Sequence, residues 1–356
     1  MPLPAKRLLT LLTPLAAAFL AGSVAAADPA AGPLHQPVFE SDFPDPFVLG
    51  TRGRWFAYAT NNNKEKVNIQ LASSTDLIHW QTATDPADPK RPRDALPVLP
   101  PWAKRGSTWA PEVLQTETGY ILYFTARSKK EGVQCVGAAA STDPEGPFTS
   151  SAAEPLVCQT KLGGTIDASP FRDTDGQLYL YYKNDGNAVR KPTWIWGQRL
   201  SADGLGLTGP ASQMLVNDQP WEAHVIEAPS MVRTSASYVM FYSANDYAWQ
   251  PDQRASAYAT GYARCTGPLG PCTDAANNPI LASRIDKPNC LSGPGHQTVF
   301  SDGRASYIAF HAWAATRQCA RGPDKRYMYI APLAIRSGVP AIGPSPPPAP
   351  VPPPAD

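Results

Sequence analysis

Apolar residues in this chain gather in short aromatic runs that recur five times, at 53–60, 119–125, 176–182, 237–243 and 305–311. Each run is followed by a second apolar stretch of strand length, at 69–74, 136–141, 195–200, 258–263 and 327–332. The runs are rich in Tyr, Phe, Trp, Ile and Val and are bounded by Gly, Asp or Ser, which predicts strands ended by turns. The copies recur about every 60 residues, longer than the usual 40–50 of a blade repeat, and loops make up the difference. Such antiparallel units cannot bury both faces alone. Arranged radially they bury them against one another, so the pattern predicts an all-β fold, a five-bladed β-propeller. A β-sandwich followed by a second β-domain is the competing reading, and it leaves the even spacing unexplained.

A shorter motif precedes each aromatic run. These are Asp45-Pro46-Phe47-Val48, Trp109-Ala110-Pro111-Glu112-Val113, Asp167-Ala168-Ser169-Pro170-Phe171, Glu227-Ala228-Pro229-Ser230-Met231 and His296-Gln297-Thr298-Val299-Phe300. Their first residues are 64, 58, 60 and 69 positions apart. Each motif falls where the innermost strand of a blade begins, and innermost strands line the axis of a propeller. Asp45, Trp109, Asp167, Glu227 and His296 are therefore expected at one end of that axis, sharing one repeat position. Carboxyls crowded into one cavity raise each other's proton affinity, and burial adds to the effect. One can then serve as an acid while another stays ionised as a base, the pair that glycosidic hydrolysis requires. Aromatic rings nearby offer flat surfaces of the kind sugars stack on. Taken singly, each of these residues has a plainer reading: Asp-Pro as a turn, Glu227 as a salt-bridged edge residue, His296 as a structural histidine. Asp42, Glu112 and Glu222 are rival carboxylates.

Composition and charge narrow the alternatives. The 31 Lys+Arg and 30 Asp+Glu of the 356 residues give a formal charge of +1, without the basic excess of a nucleic-acid binder. The 40 Pro disfavour long helices, because an interior Pro removes a backbone donor and clashes with the turn before it. Residues 1–27 read as a secretory signal peptide: Lys6 and Arg7, an apolar run over 8–21, then Ala25-Ala26-Ala27. The run is short for a membrane anchor. Residues 28–338 are expected to form the catalytic propeller, and 339–356 a Pro-rich disordered tail. The six cysteines are too dispersed for a metal knuckle. They suit an exported chain with local pairs Cys135–Cys158, Cys265–Cys272 and Cys290–Cys319. The protein is thus expected to be secreted, extracellular or periplasmic.

In order and spacing, Phe43-Pro44-Asp45-Pro46-Phe47, Trp109-Ala110-Pro111-Glu112, Ile166-Asp167-Ala168-Ser169-Pro170-Phe171 and Ile226-Glu227-Ala228-Pro229-Ser230-Met231 resemble glycoside hydrolase family 43. The resemblance runs from Phe43 to about Leu333. It implies a five-bladed propeller that hydrolyses arabinosides or xylosides with inversion. It implies Asp45 as the general base, Glu227 as the general acid, and Asp167 as the carboxylate that orients the acid and holds its pKa up. His296 resembles a central histidine that in some members lies near a calcium ion or a water in the channel; no cofactor is otherwise required. Arg326 is a looser match to an arginine near the reacting sugar, and Trp109 and Phe47 join it and His296 as expected substrate contacts. The expected substrate is an arabinose- or xylose-containing plant polysaccharide or oligosaccharide, met by a monomer that binds neither nucleic acid nor, once the leader is removed, a membrane. An α-L-arabinofuranosidase or arabinanase is favoured over a β-xylosidase. A lectin-like propeller, or a structural wall protein, would not need three different carboxyls at the hub. Loops at 82–105 and 246–254 are expected to set exo or endo action.

Overall fold

The computed structural model describes residue 1 and residues 35–235, 237–250 and 255–354; the leader expected at 1–27 otherwise lies outside the described residues. Among the described residues five antiparallel sheets of three to five strands follow one another along the chain, with two short two-stranded pairs besides. Their innermost strands are Phe47–Thr51, Ala103–Gln115, Thr165–Arg172, Ile226–Arg233 and Asn289–Ser301. Each of these contacts the innermost strand of the next sheet, and the last contacts the first, so the ring is closed. This is the five-bladed propeller that the repeat predicts, and the sandwich alternative falls.

The aromatic runs form the second strand of each blade: Arg54–Ala59, Tyr120–Ser128, Leu178–Asn184, Tyr238–Ala244 and Ser306–Ala315. Their continuous hydrophobicity follows from the pleat. Successive side chains leave a strand on opposite faces, and here both faces are covered by a neighbouring blade. Phe56 and Tyr58 join Leu122 and Phe124 in the core between blades one and two. Trp55 and Ala57 join Met328 and Ile330 in the core between blades five and one. Tyr123 meets Leu180 and Tyr182, Tyr181 meets Met240 and Tyr242, and Phe241 meets Ile308 and Phe310 in the other three. Burying one such ring contributes about 1.5–3 kcal/mol. The ring of blades is therefore held by five hydrophobic seams. Among the described residues no helix is long and apolar enough to cross a membrane.

The expected disordered tail is instead part of the fold. Val339–Ile342 is the outermost strand of blade five, paired with Arg321–Arg336. The prolines beyond it do not end the contact. Val351 is buried, its carbonyl accepts the Trp55 indole N–H at 3.0 Å, and its own N–H reaches the Asp76 carbonyl at 3.0 Å. At the other end, Val38 and Phe39 bond to Met328, and Ser345 bonds to Gln36. Polyproline backbone offers free carbonyls that a strand cannot use, and blade one takes one of them. Removing residues 339–356 should lower stability by about 2 kcal/mol or more, at least about 4 °C in Tm. An unchanged melting curve would show that the strap carries no stability. The three disulfides join Cys135–Cys158, Cys265–Cys272 and Cys290–Cys319, the sequential pairing expected.

Candidate active site

The innermost strands share a device at the axis. In blades two to five the pairing register shifts between Trp109 and Glu112, Ile166 and Ser169, Glu227 and Ser230, and Gly295 and Thr298. These are β-bulges, which re-aim side chains. At each bulge one residue has positive φ: Ala110 at 47°, Asp167 at 57°, Ala228 at 52° and His296 at 49°, with Asp45 at 58° in blade one. The repeat position shared by all five blades is therefore Asp45, Ala110, Asp167, Ala228 and His296. Trp109 and Glu227 stand one residue earlier, a correction to the common register expected from spacing. The αL region admits Asp readily, and the other three are over-determined by their surroundings.

Those surroundings repeat too. Opposite each of these positions stands one residue of the second strand or, in blade one, just after it: Thr60, Thr125, Lys183, Ser243 and His311. Four of these accept the backbone N–H of an αL residue in an innermost strand. Ala110 donates to Thr60 Oγ1 at 3.0 Å, Asp167 to Thr125 Oγ1 at 3.2 Å, His296 to Ser243 Oγ at 2.8 Å and Asp45 to His311 Nδ1 at 3.1 Å. Lys183 has no acceptor. The N–H of Ala228 goes instead to Asp167 Oδ2 at 3.0 Å. The Lys183 ammonium, fully buried, lies 3.0 Å from Glu227 Oε2 and 3.6 Å from Asp185 Oδ1.

A cavity of about 440 Å³ opens at this end of the axis, lined among others by Asp45, Asp167, Glu227, Trp109, His296 and Arg326. Asp45 Oδ2 accepts the Thr60 hydroxyl, and Oδ1 lies 3.2 Å from Arg326 Nη1 and 3.4 Å from His296 Nδ1. Burial alone would push the Asp45 carboxyl up; Arg326 first and then His296 outweigh it and hold the group well below the carboxylate range. His311 is pushed down to about 4, by burial and then Arg326, so its ring is neutral. Its Nδ1 accepts the Asp45 N–H, which leaves the hydrogen on Nε2, a buried atom without a hydrogen-bond partner among the described residues. Burial first, with the Glu227 and Asp45 charges, pushes Asp167 up to about 7 against His296 and Lys183. Burial also raises Glu227, but Lys183, the Tyr258 hydroxyl at 2.7 Å and His296 together hold it below the usual value, the reverse of the raised acid that the resemblance implies. The cavity thus holds one firmly ionised carboxylate beside a carboxyl pair that retains a proton near neutrality.

Most of the expected contacts meet here; Phe47 does not. Phe47 packs beside Tyr58 in the core between blades one and two, because the positive φ of Asp45 redirects the chain just before it. Arg326 is held by more than the loose match implied. Its N–H donates to Asp42 Oδ1 at 3.0 Å, and its guanidinium lies over Tyr247 and Trp313, 5.4 and 5.8 Å from their ring centres. The rival carboxylates have structural work. Asp42 fixes Arg326, Glu222 closes a capping box at Pro220–Glu222 and accepts the Tyr242 hydroxyl, and Glu112 takes a bond from Ser169. Asn245, Asp246 and Tyr247 line the cavity, whereas no residue of 82–105 does. Among the described residues no three His, Cys, Asp or Glu side chains form a metal ligand set. His296 Nδ1 turns to Asp45. The donor set does not fit a protein-held cation, and no chemistry is assigned to calcium. Lys183, Tyr258 and His311 escaped the sequence reading. The signal for Lys183 and His311 was present: aligned runs place both where Thr and Ser stand in other blades.

The profile of the glycosyl hydrolases family 43 matches residues 34–340. The β-D-galactofuranosidase of Aspergillus niger is 27% identical over 292 residues, covering 77% of this chain and 75% of that enzyme. A xylosidase/arabinosidase of Humicola insolens is 34% identical over 128 residues, 33% of this chain and 37% of its own length. A crystal structure of a thermostable family-43 glycoside hydrolase superposes with a TM-score of 0.71 at 29% identity, covering 91% of this chain and 99% of the other.

Proposed function

Because this chain belongs to family 43 of the glycosyl hydrolases, an inverting family, we propose that it releases α-L-arabinofuranosyl units from plant arabinans or arabinoxylans outside the cell. The observation that carries the reading is the convergence of Asp45, Asp167 and Glu227 on one cavity with Arg326 and two aromatic residues, Trp109 and Tyr247. In this mechanism Asp45 takes a proton from a water molecule as the water oxygen bonds to the anomeric carbon. Glu227 gives its proton to the departing oxygen, and the C–O bond to the leaving group breaks. Asp45 and Glu227 come from non-adjacent blades, one and four, which leaves room for sugar and water between them. Asp167, on the blade beside Glu227, shares the pair's proton. The relative of widest coverage supports the furanoside reading: its name specifies a β-D-galactofuranoside, whose ring carbons match those of an α-L-arabinofuranoside in configuration. The double name of the Humicola enzyme keeps β-xylosidase as the second reading. The three disulfides support export to an oxidising compartment.

The test is hydrolysis of nitrophenyl α-L-arabinofuranoside, β-D-galactofuranoside and β-D-xylopyranoside, with product sizing on linear arabinan. The arabinofuranoside should be turned over at least about tenfold faster than the others, one pocket group being worth about 1–3 kcal/mol of selectivity. Preference for the xyloside would overturn the reading. The pH profile has a worked sign. The base must be ionised, so activity falls as pH drops through the depressed pKa of Asp45, well below the carboxylate range. The acid pair must hold one proton, and Asp167, pushed up to about 7, is the member that keeps it longest, so activity falls as pH rises through that value. kcat/KM should therefore stay level from mildly acidic pH up to about 7; an optimum above pH 8 contradicts the assignment.

A further inference from the structure

Blade three departs from its siblings at one chemically decisive point. Thr60, Thr125 and Ser243 each offer a hydroxyl to the N–H of an αL residue in the following blade, and His311 offers a ring nitrogen to the first blade. A hydroxyl at 183 would take the N–H of Ala228 in the same way. Lys183 stands there instead, wholly buried, and two consequences follow from the one substitution in the pattern. The orphaned N–H of Ala228 turns to Asp167, and a fixed cation lies against the side chain one residue before it, Glu227.

We propose that Lys183 is a positioning residue for the reaction: it clamps Glu227 from one side, hands the Ala228 N–H to Asp167, and so sets the order in which the two carboxyls hold and release their shared proton. This rests on Glu227 being the general acid. A buried cation without a purpose is costly, since its hydration is lost and only charged partners recover it. Glu227, Asp185 and Asp167 are the charged groups that face Lys183, and they keep it protonated despite burial. Glu227 is further held by Tyr258 and faces His296 across the cavity, while Asp167 faces His296 and Asp45. When Glu227 passes its proton to the leaving oxygen, the carboxylate that forms is already paired with the ammonium. Lys183 therefore makes Glu227 a stronger acid, an advantage that grows as the leaving group becomes more basic. A hydroxyl at that position would leave the new carboxylate to Tyr258 and Asp185's repulsion.

The test uses Lys183→Thr, which restores the residue of blades one and two and the acceptor for Ala228, and Lys183→Met, which keeps the length without the charge. Removing the cation raises the pKa of the pair, so the alkaline limb of kcat/KM should move up by about one pH unit or more. The fall in kcat should be larger, by at least about tenfold, on an arabino-oligosaccharide than on the nitrophenyl arabinofuranoside, whose leaving group needs less protonation. A structural role alone would lower both substrates equally and leave the limb in place. That outcome in either folded variant, checked by melting curve, overturns the proposal. Glu227→Gln, run in parallel, separates the two levels. Near-normal turnover there removes the acid itself, whereas an inactive Glu227→Gln beside an unmoved alkaline limb removes only the role of Lys183.

Discussion

Asp45→Asn is expected to lower kcat by about 10²–10⁴-fold, with kcat/KM falling in parallel, on every substrate regardless of leaving group. The amide keeps the shape of the carboxyl and, like Asp, tolerates the αL conformation that residue 45 adopts at φ 58°. The backbone bond to His311 Nδ1 does not involve the side chain and should survive. What is lost is the proton acceptor. Arg326 and His296 converge on Asp45 so that it stays ionised even in a buried setting, and an amide there cannot take a proton from water. Because water attack is common to all substrates, nitrophenyl glycosides and oligosaccharides should suffer equally. Retention of a tenth of the activity in a folded Asp45→Asn protein would remove Asp45 from the reaction.

Glu227→Gln should have an effect of similar size on natural linkages but a different signature. Turnover of an arabino-oligosaccharide should fall about 10²–10⁴-fold, and that of a nitrophenyl arabinofuranoside at least about tenfold less. The glutamine can still meet Tyr258, and Lys183 keeps Asp185 as an ionic partner, so the site should remain assembled. The alkaline limb of the pH profile should also flatten, since the group that loses its proton there no longer donates. Equal losses on both substrates would place the acid elsewhere, with Asp167 the next carboxyl to test, because burial already pushes it up to about 7.

The particular residues show where a linear reading reaches and where it stops. Tyr58, Tyr123, Tyr181 and Tyr242 are legible as buried strand residues because both strand faces meet a neighbouring blade, and that leaves an unbroken apolar run in the sequence. The register of Glu227 is not legible in the same way. A bulge shifts the side-chain direction by one residue without changing the spacing of the motif, so Glu227 and Asp167 look equivalent in sequence and are not in space. Phe47 misleads for the same reason, following a positive-φ residue that redirects the strand. The tail misleads differently: its prolines exclude internal strand pairing from Pro346 onward, but they say nothing of carbonyls accepting bonds from another blade.

The sequence by itself determined the number of blades, the burial of their second strands and the four short motifs that carry the family resemblance. All of these are properties of local pattern and short range, repeated until they are unmistakable. Only the tertiary structure decided that Lys183 faces Glu227, that Arg326 reaches across 281 positions to Asp45 between two aromatic rings, and that the last residues strap the first blade to the fifth. Those pairings join residues far apart in sequence. They come from closing the ring of blades, which brings bulges and loops of separate repeats to one axis where burial and charge set the chemistry.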